Sequence, residues 1–381
     1  MNVSTPSPGS SSANGNGTFP LRYVYFYLTG ACNLHCRHCW ISPRFQQQGP
    51  DMQGLALELL ISVVEQARPM GLVGVKLTGG EPLIHHRIMD ILNYLREKEL
   101  SVQIETNGVL CTRELARAIA ACQSPFVAVS LDGAEAEAHD WIRRMDGCFR
   151  KTLCGIENLV AEGIRPQIIM TVVERNKGQM EALVRLAESL GADSVKFNVV
   201  QPTGRGERLH GSSETIPIQE MVALGKYVEN DLAAASKIPV HYGHPLAFRP
   251  MSRMFGENGD GCGRCMILNI MGVLSDGSYS ICGIGEVAPE LVFGHAAKDR
   301  LEDVWNGNPT IKSLREGLPA RMQGVCASCV MRFLCLGGCV AQNFYRSGSF
   351  WTPHWFCAHA EQAGLFPATR FLPIVTQHHL C

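Results

Sequence analysis

The sequence predicts an α/β chain: a parallel sheet built from βαβ crossovers, followed by a small cysteine-rich region. Six apolar, β-rich runs recur between residues 23 and 202. Helix-like stretches such as LALELLISVVEQARP, IMDILNYLREKE and QMEALVRLAESLGA separate most of them, and strands alternating with amphipathic helices mark a parallel sheet. After about residue 203 the rhythm breaks, and from 255 the chain turns Gly- and Cys-rich with short strands.

The opening MNVSTPSPGSSSANGNG is rich in Ser, Gly and Asn and lacks the apolar stretch of a signal peptide. Residues 1–20 are therefore expected to form a disordered tail. The strand candidates are YVYFYLTG (23–30), VGVKLTGG (73–80), SVQIETNG (101–108), FVAVSLDG (126–133), RPQIIMTVV (165–173) and DSVKFNVVQP (193–202). Four of the six end in Gly and most end in polar residues; in such folds the strand C-termini carry the site. TGRGERLHGSSETIP (203–217) reads as a loop and IQEMVALGKYVENDLAAA (218–235) as one helix. VLSDGSYSICGIGEV (273–287) reads as a hairpin turning at Asp276–Gly277. A boundary near 250 divides residues 21–250 from a second domain at 251–365, with a tail at 366–381.

Hydrophobic residues make up 46% of the chain and charged residues 18%, a globular composition. A net charge of -1 supplies no field to draw in nucleic acid or an anionic membrane, so neither is an expected partner. Without an export signal the chain is expected to be cytoplasmic, where thiols stay reduced. Sixteen cysteines, many at gaps of two to five residues, then point to metal or iron–sulfur ligation. Cys111, Cys122, Cys148 and Cys154 sit singly and read as small buried hydrophobes, and His85, His86 and His295 as structural.

CNLHCRHC (32–39) places Cys32, Cys36 and Cys39 directly after the first strand. The spacing would also suit one face of a helix, but a core face made only of cysteine is odd, and Thr29–Gly30 opens a loop. Four thiolates would close a cubane iron–sulfur cluster into an electron carrier. Three leave one iron open, which is where chemistry at a metal centre happens.

CNLHCRHC resembles the Cys-x3-Cys-x-Φ-Cys signature of the radical S-adenosylmethionine (SAM) superfamily, with His38 in the ring position that meets adenine. The resemblance implies that the open iron takes the amine and carboxylate of SAM, and that a 5′-deoxyadenosyl radical abstracts a substrate hydrogen. TGGEP (78–82) resembles the second-strand motif, implying close backbone approach at Gly79 and Gly80 and an amine contact at Glu81. ETNG (105–108) and SLDG (130–133) match the third and fourth strand ends, implying that Ser130 and Asp132 face the ribose or methionine. Arg143, in HDWIRR, resembles an arginine that pairs with the SAM carboxylate, and VVQPTGRG (199–206) the sixth-strand segment near adenine. Over 23–206 the resemblance implies a partial (β/α)6 TIM-like barrel, open on one side.

The second cysteine array has Cys262-x2-Cys265, Gly277-x4-Cys282, then Cys326-x2-Cys329-x5-Cys335-x3-Cys339 and Cys357. Zinc-ribbon pairs lie ~15–20 residues apart, whereas about sixty separate these Cys-x2-Cys pairs. The pattern resembles the SPASM extension of radical SAM enzymes. That resemblance implies an inner auxiliary [4Fe–4S] cluster on Cys262, Cys265, Cys282 and Cys339, and an outer one on Cys326, Cys329, Cys335 and Cys357. Three clusters and SAM are thus the expected cofactors. In sulfatase-maturing relatives an acidic base follows the cysteine equivalent to Cys282; here the residue is Gly283, and the sequence names no replacement.

SPASM proteins mostly modify ribosomally made peptides, so the expected activity is oxidative maturation of a precursor peptide through a thioether or carbon–carbon cross-link or a related change. The expected partners are that peptide, an electron donor such as a flavodoxin or ferredoxin, and a separate leader-binding protein. The alternative is a small-molecule oxidase such as a haem-precursor side-chain enzyme, a group that shares PTGRG but generally carries fewer C-terminal cysteines. A non-catalytic electron carrier would need neither TGGEP nor a vacant cluster corner. The aromatic stretch FYRSGSFWTPHWFC (344–357) is expected to pack around the outer cluster, and the terminal QHHLC to fray.

Overall fold

A computed structural model describes residues 19–45, 54–257, 259, 261–263 and 265–373. Most of the tail expected at 1–20, and the terminal QHHLC, lie outside them. All six strand candidates form: β1 (Tyr23–Tyr27), β2 (Gly74–Thr78), β3 (Ser101–Thr106), β4 (Gln123–Ser130), β5 (Gln167–Val172) and β6 (Ser194–Val199). They pair in parallel and in sequence order, with Phe26 opposite Leu77, Leu77 opposite Ile104 and Ile169 opposite Lys196. Alternate residues face out: Val24, Phe26, Val75, Leu77, Val102, Ile104, Val195 and Phe197 join one buried apolar cluster. That cluster includes Leu60, Val63 and Val64 of α1 (Leu57–Ala67) and Ile91, Leu92 and Leu95 of α2 (Ile88–Glu97). The other alternation, Tyr25, Lys76, Glu105, Ser130 and Lys196, is left for the inner wall.

The sheet is longer than the sequence suggests. β7 (Val240–Tyr242) adds to β6 in parallel, too short to signal itself. At the other edge the expected hairpin, β8 (Ile270–Val273) and β9 (Ser278–Ser280), turns at Gly277 with φ +92°. β8 pairs in parallel with β1, and β10 (Val292–His295) continues antiparallel. The ten strands run β10-β9-β8-β1-β2-β3-β4-β5-β6-β7. The first strands of the cysteine-rich region therefore extend the barrel sheet.

Two local readings are corrected. The 203–217 stretch is not all loop, because Arg205–His210 forms a helical turn where PTGRG closes on the first loop. The 218–235 helix is continuous but widens into a π turn at Val228–Leu232, which turns Glu229 inward among His244, Arg249 and Arg253. Among the described residues, no helix is long and apolar enough to cross a membrane.

Candidate active site

The three early cysteines converge in a loop, as expected. Cys32 and Cys36 are buried with Leu34 and Cys148 in a small apolar cluster, and Cys39 packs against it. Burial, then the neighbouring Cys36 and Glu81, push the Cys32 thiol up. Metal loading would therefore displace protons from this loop.

Four chain segments hold it. At the end of β2, the Gly80 N–H donates to Thr29 O at 2.8 Å and the Glu81 N–H to Ala31 O at 3.1 Å. Gly79 has φ +121°, and a Cβ on Gly80 would stand 1.9 Å from Ala31 O, so TGGEP needs its glycines to dock on this loop. From β3, Asn107 Nδ2 donates to Asn33 Oδ1 at 2.8 Å. From α3 (Ala136–Arg143), Ile142 O and Arg143 O accept the N–H groups of Arg37 and His35. From PTGRG, the Arg205 side chain donates to Cys36 O at 2.8 Å and Pro43 O at 3.1 Å, while its N–H reaches Cys39 O at 2.9 Å. Arg205 is the residue sequence reasoning missed. Its signal was an arginine between two glycines, of which Gly204 has φ +56° and leaves 2.5 Å between a Cβ and Trp40 O.

Asp132 is the buried hub beneath the loop. One oxygen meets His38 Nε2 at 2.9 Å and Arg143 Nε at 2.7 Å, and the other accepts the Thr171 N–H at 2.8 Å. Arg143 and His38 hold its carboxyl well below the usual range against the cost of burial. With no exposed surface and both oxygens engaged, Asp132 acts through His38 and Arg143. Arg143 also donates from Nη1 to Cys36 Sγ at 3.4 Å, placing a buried guanidinium against one of the three loop thiols.

Glu81 is buried and takes bonds from the Thr106 hydroxyl at 2.7 Å, the Leu83 N–H at 3.0 Å and the Asn107 N–H at 2.8 Å. Two carboxylate oxygens offer about four acceptor positions, so one remains for an ammonium. Burial raises the Glu81 pKa, and a bound ammonium would favour its ionised form. Ser130 is half-buried at the end of β4 on the inner wall.

Cys148 is no plain core residue. It shares the cluster of Cys32 and Cys36, yet its thiol donates to Asp140 Oδ1 at 3.1 Å, and burial with that bond pushes it up, so it stays a thiol. His139, Asp140 and Cys148 offer ligand atoms all within 4.8 Å. They are already committed: Asp140 caps Gly147 and Phe149, and His139 Nδ1 accepts the Asp132 N–H. The group reads as a hydrogen-bonded support.

The auxiliary cysteines form two sets. Cys326, Cys329, Cys335 and Cys357 all line one small apolar pocket, partly open to solvent, with Met331 and Phe366. Cys265, Cys282 and Cys339 lie within electrostatic reach of one another, and burial followed by Cys339 pushes the Cys282 thiol up. Cys262, expected with the inner set, packs against the apolar cluster that holds Cys329 and Cys357, so the structure does not bring it to Cys265, Cys282 and Cys339. Cys335 and Cys339 part because Leu336, Gly337 and Gly338 all have positive φ, which turns the chain between the sets. Phe366 and the segment to Leu372 dock here, with Cys329 bridged to Phe371. Among the described residues, no three cysteines have sulfurs all within 4.8 Å. Four cysteines around one apolar pocket offer the four thiolates that a closed iron–sulfur cluster takes.

The Radical SAM superfamily model matches residues 26–187, and a model for an iron–sulfur cluster-binding domain, SPASM, matches 262–330. The chain is 30% identical to the mycofactocin maturase MftC of Mycobacterium ulcerans over 91% of this chain and 90% of that protein. It is 28% identical to an AdoMet-dependent heme synthase of Methanosarcina barkeri over 89% and 96%. The structure of SuiB of Streptococcus suis bound to S-adenosylmethionine superposes with TM-score 0.69 at 18% identity, covering 89% of this chain and 77% of SuiB. SuiB has also been solved bound to its precursor peptide SuiA.

Proposed function

Because the chain belongs to the radical SAM superfamily and carries its SPASM iron–sulfur extension, we propose that this enzyme matures a ribosomally made precursor peptide by an oxidative change. The observation that carries this reading is one open three-cysteine loop beside two further cysteine sets on a chain similar to MftC over nearly its whole length. When bound, SAM and the reduced cluster on Cys32, Cys36 and Cys39 supply a 5′-deoxyadenosyl radical that abstracts a substrate hydrogen.

The chain's own residues hold and shield that chemistry. Glu81 offers its remaining acceptor position to the SAM amine, and Arg143 a guanidinium beside Cys36 to the carboxylate. Ser130 and the backbone around Gly79 and Gly80 line the strand ends, with His38, held by Asp132, on the adenine side. Two auxiliary clusters are assigned, the inner to Cys262, Cys265, Cys282 and Cys339 and the outer to Cys326, Cys329, Cys335 and Cys357. With four thiolates each they are closed and suit removal of the electron left when a new bond forms. A small electron-transfer protein and a separate leader-binding protein complete the system.

A second reading, oxidation of a haem-precursor side chain, is favoured by the similarity to the heme synthase over 96% of that protein. One experiment separates them. The enzyme is co-expressed anaerobically with any short open reading frame that its gene's neighbourhood encodes, and the peptide is weighed by mass spectrometry. A mass loss of hydrogens or a small fragment supports the maturase. An unchanged peptide alongside active SAM cleavage supports the second reading.

A further inference from the structure

The inner wall of the barrel carries an unbalanced charge. Lys76 on β2 is held by Glu105 on β3, Nζ to Oε1 at 2.5 Å, and the other Glu105 oxygen accepts the Thr78 hydroxyl at 3.3 Å. Lys76 also lies over the Tyr25 ring at 4.7 Å. Lys196 on β6 faces the same space: its pleat neighbours Val195 and Phe197 are in the outer core, and Ile169 and His241 flank it in register. Glu105 and Lys76 are the charges that bear on Lys196, and no carboxylate lies within ion-pair distance of it among the described residues. Two ammonium groups thus share one carboxylate.

The excess is not a counter-charge for the inner cysteines. Cys265 and Cys282 bear on Lys76 but not on Lys196. A half-buried ammonium without an ion-paired anion is a standing cost of the fold, and burial lowers its pKa although Glu105 acts against this from a distance. Glu105 is 45% exposed to the interior, so the space is reachable from solvent.

We propose that Lys196 and Lys76, flanking Glu105, form a subsite for a carboxylate of the substrate, so that the segment entering the barrel presents either a peptide C-terminus or an Asp or Glu side chain. The subsite rests on the peptide-maturase reading only for the identity of that segment. Lys76 also bears on Cys265 and Cys282, so a carboxylate held here would set the reacting residue near the inner cysteines.

The test uses reconstituted holoenzyme with SAM, titrated anaerobically by calorimetry with four probes. N-acetyl-glycylglycine carries a C-terminal carboxylate, and its C-terminal amide does not. N-acetyl-aspartic acid α-amide carries a side-chain carboxylate, and N-acetyl-asparagine amide does not. We expect one acid to bind about tenfold or more tighter than its neutral partner, and that acid names the source. The preference should vanish in Lys196→Gln and return in Lys196→Arg, with iron content reporting that each variant has folded. Equal binding of acids and amides overturns the subsite, as does a preference that survives in Lys196→Gln. A peptide that is modified without any acid preference sinks the subsite alone. An unmodified peptide with an intact, Lys196-dependent preference sinks the maturase reading alone.

Discussion

Tyr27 lies where a side chain on residue 283 would have to go. A Cβ built on Gly283 would meet Tyr27 Cε1 at 2.1 Å and its hydroxyl at 2.5 Å. Tyr27 is buried in a cluster with Ile41 and Leu274, packed against Cys39 and Trp40, so its ring spans from the SAM loop to the residue after Cys282. A side chain on residue 283 has no room while Tyr27 keeps this place.

Gly283→Ala should therefore destabilise the protein by about 1–3 kcal/mol through overpacking. Tyr27→Leu in the same chain should recover much of it. Thermal melts of the two single variants and the double variant form a cycle, and additive losses would contradict the contact.

Arg205 clamps the cluster loop through two carbonyls that a single ammonium cannot bridge in the same way. Arg205→Lys should lower the iron retained by the SAM-loop site after reconstitution, and Arg205→Ala should lower it further. Iron analysis with EPR reads this directly; wild-type iron in both variants would remove Arg205 from the site.

Glu229 is buried against His244 Nε2 at 3.3 Å, Arg249 Nε at 3.5 Å and Arg253 Nη1 at 3.1 Å, and Arg249 reaches on to Gly261 O just before Cys262. Glu229→Ala removes the buried counter-charge and should cost about 3–5 kcal/mol, measured by denaturant unfolding. A cost near zero would mean that the arginines are solvated.

His85 is buried, its Nε2 donating to Leu55 O at 3.0 Å while Nδ1 accepts the Arg87 N–H at 3.2 Å. Burial lowers its pKa, and His86 and Arg87 add to the shift. The folded state thus binds fewer protons than the unfolded state once pH falls through the unfolded imidazole's value of about 6.5, and stability drops on the acid side. His85→Gln keeps a donor for Leu55 O and removes the titration. Its melting temperature should fall less steeply than wild type between about pH 7 and pH 5; parallel slopes would contradict this.

The strands and the cysteine sets were legible because each has a local pattern: period-two apolar runs, and thiols at fixed spacing. Cys335 and Cys339 could be assigned to different clusters through the family pattern, and the run of positive φ at Leu336, Gly337 and Gly338 gives the physical cause. What sequence left dark depends on long-range approach. Arg205 meets the loop from 169 residues away, measured to Cys36, and Lys196 comes under the charges of Glu105 and Lys76 only when the strands close the wall. The family resemblance sets Asp132 against the ligand, and its full enclosure appears only once α3 and β5 close around it. Cys148 looked solitary until folding set it against Cys32 and Cys36.

The central claim is that Cys32, Cys36 and Cys39 hold a cluster with one iron free for SAM, with Cys148 outside its ligand set. The direct measurement is anaerobic Mössbauer spectroscopy of ⁵⁷Fe-reconstituted enzyme, with and without SAM, for wild type and Cys148→Ala. The account predicts that SAM alters one iron site in both proteins alike, and that the response disappears when the three loop cysteines are replaced by Ala. A spectrum indifferent to SAM, or a site whose fourth ligand is lost in Cys148→Ala, would contradict it.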